Sequence, residues 1–435
     1  MTAVVGLLNR RGVAIAADSA VTRTRGRDQK VTKNGNKMVR VSDAVPISVM
    51  ITGNADFMRN PWDVIVRRYR KARAGTEPAT VEECVEDFFR YLSECDALWD
   101  TDSEHGKIAW TVFNKIFCEV YRKIDSEVER RDDKGRLRRP KAYEKGFRAI
   151  LAQIRKQCRT KGMSQNFADL TAEEFAAYVR PDVEQAIKEL EDDDNIAFGK
   201  PKSDPEVAAR NIDEVMLTLR DILTTADDDE SAVLVFSGYG ASEEYPSLVA
   251  VEVTAGFCRR ANYVVRDVVR ISDERPAAIC PYAQRDVVDA LLGEVNYSWL
   301  RSVRHDLANL FGEELLPQFE SIEDPEAQAL LEAHNSWSAK VPWQKFNQEV
   351  DAARKANIQA WTKALEQYDV RSMAALAQSL IDLTGFQRIL TFQTEGVGGD
   401  VDLAIITRNE GFTWLNRKSW YHHRDIGGRY GSMGV

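Results

Sequence analysis

The chain offers no paired cysteines. Its six, Cys84, Cys95, Cys118, Cys158, Cys258 and Cys280, are scattered over 435 residues and form no CxxC motif. That spacing excludes a disulfide framework and a cysteine-based zinc module, and predicts reduced, buried or half-buried thiols. Histidine is scarcer, with five residues. His105, His305 and His334 stand alone, and His422-His423 has no cysteine or further histidine at ligand spacing, so no metal site is expected. No run of about 18 apolar residues occurs, so no membrane span is expected. The N-terminus lacks a basic segment followed by an apolar core and a small-residue cleavage site, so no secretory signal is expected and the chain reads as cytoplasmic. Basic residues are in deficit. Lys and Arg total 59 against 68 Asp and Glu, a formal net charge of −9, which argues against general nucleic-acid binding. No glycine loop of the P-loop or dinucleotide type is present, and no cofactor is expected. Internal repeats and low-complexity tracts are also missing.

What the chain does have is concentrated in its first sixty residues. Thr2 opens an apolar run, Ala3-Val4-Val5-Gly6-Leu7-Leu8. The break Asn9-Arg10-Arg11-Gly12 leads into Val13-Ala14-Ile15-Ala16-Ala17, which ends on Asp18-Ser19. This pattern predicts two strands around a turn, with a carboxylate at the end of the second. Removal of Met1 makes Thr2 an N-terminal residue with a hydroxyl and a free α-amine. Such an amine titrates near ~8, so part of it is a base around neutral pH. A threonine hydroxyl beside that base is an activated oxygen nucleophile that needs no histidine.

Three more residues suit the same chemistry. Asp18 ends the second strand. Lys37 leads Lys37-Met38-Val39-Arg40-Val41, an alternating stretch, with Lys30 and Lys33 nearby as competitors for its role. Gly53 lies in Met50-Ile51-Thr52-Gly53-Asn54-Ala55-Asp56, where an apolar strand approaches a helix start. A lysine beside the nucleophile lowers the pKa of hydroxyl and amine, and an aspartate keeps that lysine placed and charged. A glycine amide at such a turn is a suitable oxyanion donor. Taken singly, each residue has a plain structural explanation: a common second residue, a strand-end cap, a surface lysine and a turn glycine.

Thr2, GVAIAADSAVT (Gly12 to Thr22), NKMVRVSD (Asn36 to Asp43) and ITGNAD (Ile51 to Asp56) together resemble the proteasome β-subunit family of N-terminal nucleophile (Ntn) hydrolases. The likeness is greater to bacterial proteasome-like proteins with long insertions than to core subunits. It resumes at Ala232 to Gly240 and Pro246 to Val253, a hairpin; at Gln284 to Leu292, a helix; at Met373 to Leu383, the last core helix; and at Gly398 to Thr407 with Gly411 to Trp414, the closing strands. In fragments it covers about 220 of the 435 residues. The resemblance implies an α/β (α+β) four-layer αββα sandwich, catalytic Thr2, Asp18, Lys37 and Gly53, and assembly into a ring or spiral. Two positions depart from the family. Where it has a supporting serine and aspartate, the best-matching residues here are Tyr282 and Thr394.

Organisation follows from where the family-like pieces stop. The core is expected at 1–91, 231–293 and 371–420, with helical insertions at 92–230 and 294–370 and a glycine-rich tail at 421–435. A first core helix is predicted after Asn60-Pro61, with Trp62, Val64, Ile65 and Tyr69 on its apolar face. Trp110, Val112, Phe113, Ile116, Phe117, Val120 and Tyr121 recur at helical spacing in the first insertion. Trp299, Trp337, Trp343 and Trp361 of the second read as core or interface anchors. Mixed charge from Glu127 to Lys145 predicts an exposed helix or connector.

The leading expectation is a threonine-type peptidase or amidohydrolase acting on peptides or unfolded proteins, with folded substrates needing a separate ATP-dependent unfoldase. The alternative is a catalytically inactive proteasome-like scaffold that binds partners through its inserted helices. Retained Met1 would favour it, because the free amine would then lie off Thr2. A third reading is a small-amide hydrolase whose insertions close the pocket.

Overall fold

The computed structural model describes residues 3–25, 28–32, 35–99, 101–124, 137, 139–161, 164–190, 204–225, 231–283, 288, 343–390 and 400–418. It is a mixed α/β chain that divides into two compact units interleaved in sequence. The first comprises Met1–Gly35, Ile271–Ile405 and Thr413–Val435; the second comprises Asn36–Arg270 and Ile406–Phe412. Among the described residues, no helix is long and apolar enough to cross a membrane.

The first unit is built on a five-stranded sheet. Strands β1 (Val4–Asn9) and β2 (Gly12–Asp18) form its middle, an antiparallel hairpin pairing Val4 with Ala17 and Asn9 with Gly12. β12 (Ala277–Tyr282) lies beside β1, with Tyr282 opposite Val4. β13 (Val401–Thr407) lies beside β2, and β14 (Gly411–Asn416) closes the order β12-β1-β2-β13-β14. A separate hairpin joins β3 (Val21–Arg25) to β4 (Asp28–Thr32). Helices α9 (Trp343–Gln367) and α10 (Val370–Leu390) cover one face of the sheet. The core there sets Val5, Leu7, Ala14 and Ala16 against Leu365, Met373, Ala374, Ala377 and Ile381, with Trp361 at its edge. Alanines on both sides let helix and sheet backbones approach closely. The opposite face, with Val4, Leu8, Val13 and Ile15, is also buried. Asn9 shows why a buried polar residue is tolerated at the hairpin. Its amide donates to the Leu365 and Tyr368 carbonyls at 2.9 Å each, satisfying acceptors at the end of α9. Its oxygen accepts the Arg11 N–H.

The second unit has its own five-stranded antiparallel sheet in the order β11-β10-β9-β6-β5. Its strands are β5 (Met38–Arg40), β6 (Ile47–Gly53), β9 (Ala232–Gly238), β10 (Ser247–Phe257) and β11 (Arg260–Arg270). After β6, a small hairpin of β7 (Asp56–Phe57) and β8 (Asn60–Pro61) precedes α1 (Trp62–Ala72). The apolar face of α1 is Trp62, Ile65, Val66 and Tyr69; Val66 takes the place expected for Val64, which is only half buried. Helix α2 (Val81–Glu94) starts at Thr80, whose hydroxyl accepts the Glu83 N–H, an N-cap. Both helices pack on one face, with Phe88 edge-on to Phe236 and Phe89 stacked on Tyr263 at 3.8 Å. On the other face Met50, Val235 and Ala250 form a buried row across three strands.

The helical part of this unit contains α3 (Thr101–Thr111), a π-helical turn (Val112–Phe117), α4 (Cys118–Lys123), α5 (Pro140–Lys161), α6 (Ala172–Glu189), α7 (Pro205–Arg210) and α8 (Ile212–Thr224). The aromatic stripe behaves as helical core at Val112, Phe113, Ile116, Phe117 and Val120, whereas Tyr121 is exposed and Trp110 half buried. This core also takes in Phe257, from the tip of the β10–β11 hairpin, stacked on Phe167 at 4.4 Å and edge-on to Phe175. Ser164 and Asn166 fasten the hairpin by donating to the Tyr263 and Ala261 carbonyls, each at 2.8 Å. Phe257→Ala is expected to cost about 3–5 kcal/mol in urea unfolding, because a buried ring is removed where helices and hairpin meet; a cost below 1 kcal/mol would mean the site collapses freely.

Several expectations lie outside the described residues. These are Thr2, Lys33, the helix over 284–292 apart from Val288, Trp299, Trp337, Thr394, His305, His334, His422, His423 and the tail at 421–435. Most of the charged stretch between Glu127 and Lys145 does too, although α5 begins within it at Pro140.

Candidate active site

Asp18 is the best-defined member of the candidate set. It ends β2 in the first unit and is 1% exposed. Extending the β1–β2 register places it opposite Ala3, and the two residues bond in both directions. The Ala3 N–H donates to Asp18 Oδ1 at 2.9 Å, and the Asp18 N–H donates to the Ala3 carbonyl at 3.1 Å. Oδ2 accepts the Ala20 N–H at 3.3 Å. Ala3 is one peptide bond from Thr2. Tyr282, opposite Val4 at the end of β12, stands at the same end of the sheet.

Lys37 and Gly53 belong to the second unit, where the β5–β6 pair brings them near one another. The Ile51 N–H donates to the Lys37 carbonyl at 2.7 Å, so Lys37 sits opposite Ile51, two residues from Gly53 along β6. Lys37 is 5% exposed and therefore not a surface lysine. Lys30, its competitor, pairs with Arg23 in the β3–β4 hairpin.

Gly53 ends β6 with φ +80°, a left-handed conformation that glycine adopts without cost. An added Cβ would lie 2.3 Å from the Ser231 carbonyl oxygen, which already accepts the Asn54 N–H. Gly53→Ala is accordingly expected to destabilise the second unit by roughly 1–3 kcal/mol, read from chemical unfolding. An unchanged midpoint would show that this turn relaxes without penalty.

Cysteine nucleophiles fare poorly by comparison. Burial pushes the Cys84 thiol up to about 12 and the Cys258 thiol up to about 11, so both stay protonated at neutral pH. Among the described residues, no group of three or more His, Cys, Asp and Glu side chains is placed to hold a metal ion. His105 contacts the Asp182 carboxylate at 2.7 Å, joining α3 to α6.

One buried charge pair was not foreseen. Lys418, just after β14, places Nζ 3.0 Å from Asp402 Oδ2, with both side chains almost wholly enclosed. Nζ also donates to the Gly35 carbonyl, and the Gly35 N–H donates to the Ser19 carbonyl beside Asp18. A sequence cue exists only in hindsight: an aspartate inside an otherwise apolar strand needs a cationic partner. Compared with known proteins, the sequence matches no protein-family model and no curated protein, so the case for this site rests on the chain's own residues.

Proposed function

We propose that this chain is a threonine-type amide hydrolase, a peptidase of the proteasome-like Ntn class, with Thr2 as nucleophile once Met1 is removed. The observation that carries the reading is the reciprocal pair between Asp18 and Ala3. A buried carboxylate is spent on fixing the residue that follows Thr2, which suits a chain end that has to be held in register. Buried Lys37 and the left-handed glycine at Gly53, two residues apart across a strand pair, are the further support.

In this mechanism Thr2 Oγ attacks an amide carbonyl and its own α-amine takes the proton, directly or through a water. The Gly53 N–H stabilises the oxyanion, Lys37 sets the local potential, and Asp18 anchors the arrangement. The amine-derived proton leaves with the departing amine, and water then hydrolyses the acyl-enzyme. The fold proposed is the four-layer αββα sandwich. Its support is that each sheet has helices on one face and a buried apolar second face. Substrates are peptides or unfolded chains, the working form is a ring or spiral of copies, and an ATP-dependent unfoldase would serve folded substrates.

Intact mass after treatment with an electrophile that needs both the hydroxyl and the amine of an N-terminal threonine tests this. Loss of Met1 with one adduct, absent from Thr2→Ala, is the expected result. Retained Met1 without adduct would overturn it in favour of the inactive scaffold, a reading that the tyrosine at position 282, in the place of the family's serine, supports.

A further inference from the structure

Lys418 and Asp402 form a clamp on the chain that leaves Asp18 and leads to Lys37. Asp402 holds Lys418 twice: Oδ1 accepts its backbone N–H at 2.9 Å, and Oδ2 lies 3.0 Å from its Nζ. Both side chains are almost wholly enclosed, so the ammonium group has a fixed place. From there Nζ donates to the Gly35 carbonyl. The Gly35 N–H in turn donates to the Ser19 carbonyl at 2.9 Å. That bond closes the base of the segment carrying the β3–β4 hairpin. Ser19 follows Asp18, and Gly35 stands two residues before Lys37. The Ser19 hydroxyl is buried without a hydrogen-bond partner, so the hold on this residue comes through its backbone.

Stability alone is a poor reason for such a pair. Removing an ammonium and a carboxylate from water is costly, and apolar side chains of similar volume often serve a fold as well or better. What an apolar pair cannot supply is a donor for the Gly35 carbonyl, and a charged donor makes the stronger hydrogen bond. The placement of the pair points the same way. Asp402 belongs to β13, the neighbour of β2, and Asp18 is the last residue of β2. The contacts thus run from one strand out to Gly35 and back to the end of the adjacent strand. Such a closed circuit leaves the chain around Asp18 little freedom.

We propose that Lys418 and Asp402 are positioning residues for the reaction at Thr2. Neither touches substrate. Both act through Gly35, which fixes the departure of the chain after Asp18 and its arrival at Lys37. The inference rests on the hydrolase reading.

The test exploits the double variant Lys418→Met with Asp402→Leu, which removes the donor to Gly35 while relieving the stranded charge. The probe is a peptide epoxyketone, an electrophile that closes a ring through both the hydroxyl and the amine of an N-terminal threonine. Its labelling of Thr2 is followed by intact mass over a range of concentrations, with Met1 confirmed absent. Parent, Lys418→Met and the double variant are compared, beside urea unfolding of each. The limiting labelling rate is expected to fall about tenfold or more in both variants. The half-saturating concentration should stay within about threefold of the parent, because binding is untouched. The double variant should regain most of the parent's unfolding midpoint without regaining the rate.

A rate that returns with the midpoint would make the pair structural only and overturn the proposal. So would unchanged labelling in a folded variant, or a change confined to the half-saturating concentration. If Lys418→Met does not fold, the double variant decides; if that does not fold either, the pair belongs to the fold and the proposal falls. A parent that takes no label overturns the hydrolase reading and this inference together. A labelled parent with unmoved variants overturns this inference alone.

Discussion

Under the proposed mechanism, Thr2→Ala protein is expected to hydrolyse peptide amides on the order of 10⁴-fold more slowly than the parent, with an unchanged unfolding midpoint. The size follows from what the substitution removes. Without Oγ no acyl-enzyme forms, and what survives is water attack aided by the oxyanion donor and by binding alone. The midpoint holds because the Asp18–Ala3 pair uses only the backbone of Ala3, which Thr2→Ala leaves in place. Thr2→Ser should retain a measurable fraction of the rate, since it keeps both hydroxyl and amine. Rates on a fluorogenic peptide, with a mass check that Met1 is absent from all three proteins, settle the matter. Equal rates in parent and Thr2→Ala would remove Thr2 from the mechanism altogether.

The second large effect is on stability. Lys418→Met strands Asp402 as an enclosed carboxylate with its cationic partner gone, and the first unit should lose about 3–5 kcal/mol. Asp402 would keep only the Lys418 backbone N–H, at 2.9 Å. Replacing both members, Lys418→Met with Asp402→Leu, should recover much of the loss, because neither charge then has to be desolvated. A double-mutant cycle in urea reads the coupling directly. Additive single losses would show that the pair contributes nothing beyond its separate side chains. The single variant should also disturb the segment beside Asp18, since Lys418 holds Gly35 and Gly35 holds Ser19.

Much of the sheet framework could be read from local pattern. Apolar runs ending on Asp18 and on Gly53 mark strand ends because a run of one periodicity stops there and a turn residue follows. The hairpin at 232–253 and the helix after Pro61 announce themselves in the same way. Val66 in place of Val64 is a small error of phase, since only packing decides which neighbouring residue faces the sheet. Other features depend on partners far along the chain. Lys37 looks like any surface lysine in the sequence, yet the fold leaves it only 5% exposed. Phe257 lies beyond the strand read at 246–253, and its place among the helices depends on a hairpin tip reaching residues near 167. Lys418 meets Gly35 although 383 positions separate them, a juxtaposition that no periodicity encodes.

The order of strands in the first unit has a consequence for biosynthesis. β1 and β2 are made before their sheet neighbours, yet they form the middle of their sheet, and the strands flanking them begin only at Ala277 and Val401. At ribosomal speeds of roughly 5–20 residues per second, that hairpin waits on the order of tens of seconds with both edges open. Unpaired apolar edges recruit other chains. Slowing translation between the second and twelfth strands is therefore expected to lower soluble yield more than slowing it after the thirteenth, an effect that added chaperone should reduce.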